Sequence, residues 1–387
     1  MNGVAMRGPP QQPQVPQKLR NLDIVLDNPS AIFRPGDKIS GTATLELMEE
    51  SPVYGVRLWI YGTGDTMWDE VKGSSRGGRF QYERYIKELI TLYGKPPDNR
   101  NPLVEFKLVA GQHSYKFEYQ LPHTLPSSFE MPHGGLGQGR VHYHMKLQVD
   151  SPNRAVNQTK EVNFRVLGHL DLRKDRHVLQ GPVEMSGEKT LGCLCCIAGT
   201  IICCARLDKN GYVPGETMHI DIEIINNSSA DIITSSVTFE QHTTLFAQAV
   251  TRSVSSCIFS ISGATIKPGD TGMYHDVIHI PPLPPSRLDG CRLVDIEYMI
   301  HVRIEPSGMY SNFELDIPVI IGTEPLEGSF RYVSEGRYTV IPCYASFNFS
   351  TGDICEYETT NPEGATSPAY VYYKTIHITE LPSDISR

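Results

Sequence analysis

The sequence has no apolar run long enough to cross a bilayer as a helix. Its longest, residues 191–204, is 14 residues, and a span needs about 20. It has no excess of positive charge. Lys and Arg number 35 against 44 Asp and Glu, a net charge of −9, which leaves no broad basic surface for nucleic-acid phosphates. Residues 1–17 are rich in Pro and Gln and lack the apolar core of a signal peptide, so they read as a disordered leader. Signatures of catalysis are missing as well. There is no Gly-x-Ser-x-Gly elbow. The glycine-rich stretch 133–139 lacks the Lys-Ser/Thr of a phosphate-binding loop and leads into a strand. Helical periodicity is almost wholly missing, with 80–93 the one ambiguous stretch. These absences point to a cytoplasmic, non-enzymatic protein with no cofactor and no nucleic-acid partner.

What the chain does have is turn chemistry and strand formers. It carries 33 Gly and 28 Pro among 387 residues, spread between Tyr-, Val-, Ile- and Thr-rich runs, as in folds of short strands joined by turns. A weak internal repeat organises them. Phe33-Arg-Pro-Gly-Asp37 matches Tyr212-Val-Pro-Gly-Glu216, each followed by an alternating strand. Proline presets φ and the glycine supplies the positive φ of the turn. Residues 115–122 match 274–281, both ending at a proline that cannot continue a ladder. Residues 140–149 match 295–304, with Tyr143 set against Tyr298. The extra length of the first copy falls at 63–101, where Gly-Ser-Ser-Arg-Gly-Gly at 73–78 reads as an exposed loop. The stretch 80–93, rich in Tyr and Ile, reads as a strand. The expected architecture is all-β: two tandem antiparallel β-sandwiches of immunoglobulin-like type. They occupy 18–170 and 183–326, joined by a linker at 171–182. The tail, 327–387, has eight acids against four bases and fading periodicity. It is expected to be flexible, acidic and mostly disordered.

Three groups of residues merit weighing as sites. Five of nine cysteines crowd into Cys193, Cys195, Cys196, Cys203 and Cys204. An odd count without a secretory signal argues for reduced thiols. Three readings stay open: buried small hydrophobes in a strand, lipidated thiols beside an apolar run, or zinc, against which stands the lack of Cys-x2-Cys pairs. His142 and His144 alternate on a strand and leave one face, as a solvent-facing pair or two ligands of a metal. Trp59 and Trp68 read as core or loop anchors.

The ordered set Phe33-Arg-Pro-Gly-Asp37, Tyr115-Lys-Phe-Glu-Tyr-Gln-Leu-Pro122 with Pro126-Ser-Ser-Phe129, Leu170-Asp-Leu172, Gly211-Tyr-Val-Pro-Gly-Glu216, Ile280-Pro-Pro-Leu-Pro-Pro-Ser286 and Pro318-Val-Ile-Ile-Gly-Thr323 resembles the arrestin-domain-containing proteins, or α-arrestins, over 18–326. The resemblance implies two arrestin-like sandwiches, no active site, and an adaptor role. Membrane receptors or transporters would be the cargo, with peripheral membrane or endosomal association. In that family a Pro-Pro-x-Tyr motif in the tail recruits a WW-domain HECT-type ubiquitin ligase, and the cargo is ubiquitinated and endocytosed. This sequence has no intact copy. It has Ile341-Pro-Cys-Tyr344 and Ser367-Pro-Ala-Tyr370, so Pro342, Tyr344, Pro368 and Tyr370 are the candidate ligase contacts. A WW groove takes such a peptide as polyproline II. Losing the first proline costs roughly 1–2 kcal/mol at about 0.8 kcal/mol per methylene. The competing expectation is an arrestin-fold scaffold in signalling or endosomal sorting that recruits no such ligase, with these segments left as solvated tail or a short strand. The run Tyr370-Val-Tyr-Tyr373 could also be phosphorylated or add a strand to a sheet edge.

Overall fold

The computed structural model describes residues 18–72, 75–97, 104–131, 137–153, 156–179, 181–193, 196–330, 338–356 and 368–377. The leader, Cys195 and most of the 133–139 stretch lie outside them. Among the described residues every regular element is a strand, and no helix is long and apolar enough to cross a membrane.

The first half carries β1 (Leu19–Leu26), β2 (Ile32–Phe33), β3 (Lys38–Leu47), β4 (Ser51–Val53), β5 (Gly55–Lys72), β6 (Ser75–Gly94), β7 (Phe106–Leu108), β8 (Gly111–Gln120), β9 (Phe129–Glu130), β10 (Gln138–Asp150) and β11 (Thr159–Val166). One sheet runs β1-β3-β8 and the facing sheet β2-β11-β10-β5-β6, with β9 on β10 and the pair β4-β7 beside them. The second half repeats the plan with β12 (Val183–Cys193), β13 (Cys196–Leu207), β14 (Gly211–Tyr212), β15 (Thr217–Ser228), β16 (Ile232–Ala247), β17 (Val250–Ser262), β18 (Thr271–His279), β19 (Val294–Pro306) and β20 (Phe313–Ile321). Its sheets run β12-β13-β15-β18 and β14-β20-β19-β16-β17.

The repeat seen in the sequence is a repeat in space. Gly36 and Gly215 take φ of +85° and +97° and turn the chain into β3 and β15. In β15, Met218, Ile220, Ile222 and Ile224 are buried while the residues between them are exposed or half-buried, the alternation of a strand with one face in a core. Tyr143 and Tyr298 are both fully buried. Their hydroxyls donate to the carbonyls of Pro126 (2.6 Å) and Pro284 (2.8 Å). Two residues on, the Ser128 and Ser286 hydroxyls accept from the N–H groups of Val166 and Ile321. Each proline-serine segment is thus tied to its sandwich in the same way.

Residues 80–93 lie in a strand, as expected. The extra length at 63–101 is not a loop over most of its course. It is the long hairpin of β5 and β6, paired from Gly55↔Gly94 to Lys72↔Ser75, so Arg76, Gly77 and Gly78 extend a ladder. Glycines gave the stretch a loop-like composition, but cross-strand hydrogen bonds do not need side chains.

The expectation of a mostly disordered tail is corrected over three segments. Tyr338–Phe347 (β21), Ile354–Glu356 (β22) and Tyr370–His377 (β23) form a sheet ordered β22-β21-β23. Residues 331–337, 357–367 and 378–387 lie outside the described residues. The tail's strands pack against both sandwiches.

Candidate functional site: the tail across the two sandwiches

The two imperfect Pro-x-Tyr segments are brought side by side. In the β21–β23 register Pro342 lies opposite Tyr373, Tyr344 opposite Val371, and Ala345 opposite Tyr370. Pro342 is therefore in an extended strand, and Pro368 sits just ahead of β23 and lines, with Phe347 and Phe349, a cleft of about 270 Å³.

The first four residues of β23 touch both sandwiches. Tyr370 is 7 % exposed. Its hydroxyl meets the backbone of Glu130 in the first sandwich, and its ring lies close to Tyr298 of the second. Burial pushes its phenol far above the ordinary tyrosine value, with Glu130 adding to the rise. Val371 packs with Ile32 and Leu167 of the first sandwich, and Tyr344 and Tyr373 flank that cluster. The Tyr372 hydroxyl lies 2.9 Å from Nε2 of His279. Tyr373 donates its N–H to the Pro214 carbonyl at 3.0 Å and its hydroxyl to the Thr323 carbonyl at 2.9 Å. Its ring meets Phe330 beside the buried group Leu172, Val213 and Leu326. At Gly215 the tail comes so near that a Cβ would stand 2.1 Å from the Tyr373 carbonyl oxygen. The Pro-Gly turn legible in the sequence therefore also makes room for the tail.

The sandwiches are joined directly as well. Thr66 donates its hydroxyl to the Phe246 carbonyl at 2.8 Å, and Arg292 pairs with Glu83 at 2.6 Å. At the linker, Asp171 bridges to Glu324. Arg34 reaches Glu324 at 3.2 Å, and Arg287 pairs with Asp175. Within the linker, Arg173 and Lys174 both hold the Asp171 carboxylate.

The cysteine group divides. Cys193 and Cys196 face each other in the β12–β13 register at the hairpin end, while Cys203 and Cys204 lie within β13. Cys203 is buried and its thiol is pushed up to about 12 by burial, with Cys204 adding. Cys204 is half-exposed, and burial and Glu184 raise it. Cys203 thus behaves as a small core residue. Trp68 is in the core, one of the two places the sequence reading left open for it. Trp59 is not: it stands on the outer face of the first sandwich, stacked on Tyr61. His142 and His144 leave that same face stacked on one another. Among the described residues no group of three or more His, Cys, Asp and Glu could hold a metal.

The model of the arrestin (or S-antigen) N-terminal domain matches residues 22–173, and that of the arrestin C-terminal domain matches residues 198–326. This chain belongs to the arrestin family. Among characterised relatives, the thioredoxin-interacting proteins of Rattus norvegicus and Homo sapiens are each 26% identical over 310 residues, covering 79% of this chain and 75% of theirs. The Mus musculus protein is 25% identical over 310 residues, covering 79% and 74%. The arrestin is thus distantly homologous to an α-arrestin. The tail strands follow the matched domains, and the seat they occupy is made from both.

Sequence reasoning missed the tail's seat. Its one signal was the run of buried-type residues Tyr370-Val-Tyr-Tyr373, and nothing local says which surface receives it.

Proposed function

We propose that this arrestin is a non-catalytic cytoplasmic adaptor. It binds membrane receptors or transporters and links them to endocytic trafficking, and its tail is withheld from a WW-domain ubiquitin ligase while docked. The observation that carries the second part is the burial of Tyr370 between the two sandwiches. A WW domain needs the Tyr ring and a polyproline II backbone, and here the ring is covered and the backbone is paired in a sheet. Family membership supports the adaptor part, since arrestins generally work by binding. The scaffold reading without direct ligase recruitment is favoured by the same burial together with the missing first proline.

The test compares binding of a HECT-ligase WW domain to three partners: tail peptides spanning Tyr344 and Tyr370, the intact chain, and the intact chain with Val371→Asp. The last puts a carboxylate among Ile32 and Leu167 without touching either motif. Peptides and the variant should bind while the intact chain does not. If the peptides themselves bind no tighter than about 1 mM, ligase recruitment through the tail is excluded and the scaffold reading stands. Equal binding by the intact chain and the variant would refute the withholding.

A further inference from the structure

The outer face of the first sandwich carries an arrangement that the tail and its seat do not use. Trp59, Tyr61, His144 and His142 stand in a run of nearly parallel rings. Centroids are 5.9, 5.1 and 5.7 Å apart and interplanar angles are 16°, 26° and 8°. The strands dictate this. Alternate residues leave one face, and the register sets Tyr61 opposite His144 and Thr63 opposite His142. Within the run the rings are offset from one another, and Nζ of Lys87 lies 5.6 Å from the Trp59 centroid. The His142 ring already meets the Thr63 hydroxyl, 3.1 Å from its Nε2; the ring edges, the positive part of the aromatic quadrupole, and the polar atoms of Tyr61 and His144 remain for a ligand.

The surrounding charge has one sign left over. Lys146 pairs with Glu161 at 2.9 Å and Arg140 with Asp65 at 2.7 Å, so those four cancel. Lys87 and Arg84, paired in register with Tyr61 and Thr63 on β6, have no ion pair among the described residues. This face is therefore positive in a chain of net charge −9. Beside it Phe80 and Tyr82 are 52 % and 49 % exposed, and with the ring run they border an open depression of about 610 Å³.

We propose that this face binds an extended acidic peptide, whose Asp and Glu carboxylates meet Lys87, Arg84 and the imidazoles while its backbone lies along Phe80 and Tyr82. Single-stranded nucleic acid is the other extended polyanion. Besides ring faces it needs a basic groove that tracks the phosphates, which a chain of net charge −9 does not favour. The histidines add a pH dependence. Burial lowers His142, with Arg140 and His144 adding and Asp65 opposing. Burial also lowers His144, with Lys146 adding and Glu161 opposing. Both imidazoles are therefore neutral near pH 7. A carboxylate arriving beside them favours the protonated form, so binding takes up protons and tightens as pH falls.

The test is fluorescence anisotropy on the full chain, using a labelled peptide of alternating Glu and Ser, its Gln-for-Glu counterpart, and an oligothymidylate of equal length. The Glu peptide should bind and the Gln peptide should not, with affinity rising about fivefold or more from pH 7.5 to 6.0. Lys87→Glu with Arg84→Glu should weaken binding about tenfold or more, whereas Arg206→Glu on the other sandwich should not. Replacing His142 and His144 by Gln should flatten the pH dependence. Circular dichroism and the melting temperature establish that each variant is folded. Equal binding of the Gln peptide, equal loss with Arg206→Glu, no loss with the β6 pair, or preferential binding of oligothymidylate would each overturn the proposal.

Discussion

The Tyr85 hydroxyl lies 3.2 Å from Sγ of Cys291, joining β6 of the first sandwich to the segment that leads into β19 of the second. The same hydroxyl is 3.2 Å from Glu83, whose carboxylate also receives Arg292. A phenol, a thiol and an ion pair therefore share one seam. Specific polar contacts thus help set how the two sandwiches meet.

Tyr85→Phe should remove this link while keeping the ring. The expected loss is about 1 kcal/mol, the usual net worth of one such hydrogen bond, read from denaturant unfolding. Unchanged stability would show that the hydroxyl contributes nothing net to the seam.

Thiol reactivity should separate the described cysteines. Cys257 and Cys355 are exposed and should react with a disulfide reagent in the native state, while Cys203 should react only on unfolding. Burial raises the Cys203 thiol to about 12. Its contribution is therefore fully present below the unfolded thiol's value of about 8.5 and is lost as pH rises from there toward 12. Cys203→Ala should flatten that alkaline slope in unfolding curves. An unchanged slope would assign it to other groups.

The docked tail should open more readily when Tyr373→Phe removes the bond to the Thr323 carbonyl. At about 1 kcal/mol, the open fraction rises roughly fivefold. Hydrogen exchange should quicken in β21 and β23 while β10 and β19 keep their protection. Uniform quickening across the chain would mean that the tail and the sandwiches unfold together.

Acid should loosen the linker. The Arg173 guanidinium, helped by the Lys174 ammonium, holds the Asp171 carboxyl well below the usual carboxylate range. A depressed value stabilises above the unfolded value of about 3.9 and is lost as pH falls below it. Asp171→Asn should melt lower at pH 7 and lose less on acidification from pH 5 to 3. Parallel pH profiles for the two proteins would contradict this assignment.

Much of the fold was legible because its signals are local. Pro35-Gly36 and Pro214-Gly215 announce the turns, alternation in 217–228 announces a strand, and the pairing of Tyr143 with Tyr298 follows from the repeat. The hairpin of β5 and β6 was only half legible, since glycines at 77 and 78 read as loop while the ladder runs through them. His142 and His144 could be placed on one face by alternation. Their stacking on Tyr61 could not, because that depends on the register between β5 and β10.

The amino-acid sequence by itself determined the two sandwiches, their turns and their order, because proline and glycine dihedrals and period-two patterning act within a few residues. The tertiary structure alone decided where the tail goes and what the outer face presents. The tail is seated against Ile32, Leu167, Pro214 and Thr323, residues remote in the chain that only the packed sandwiches bring together.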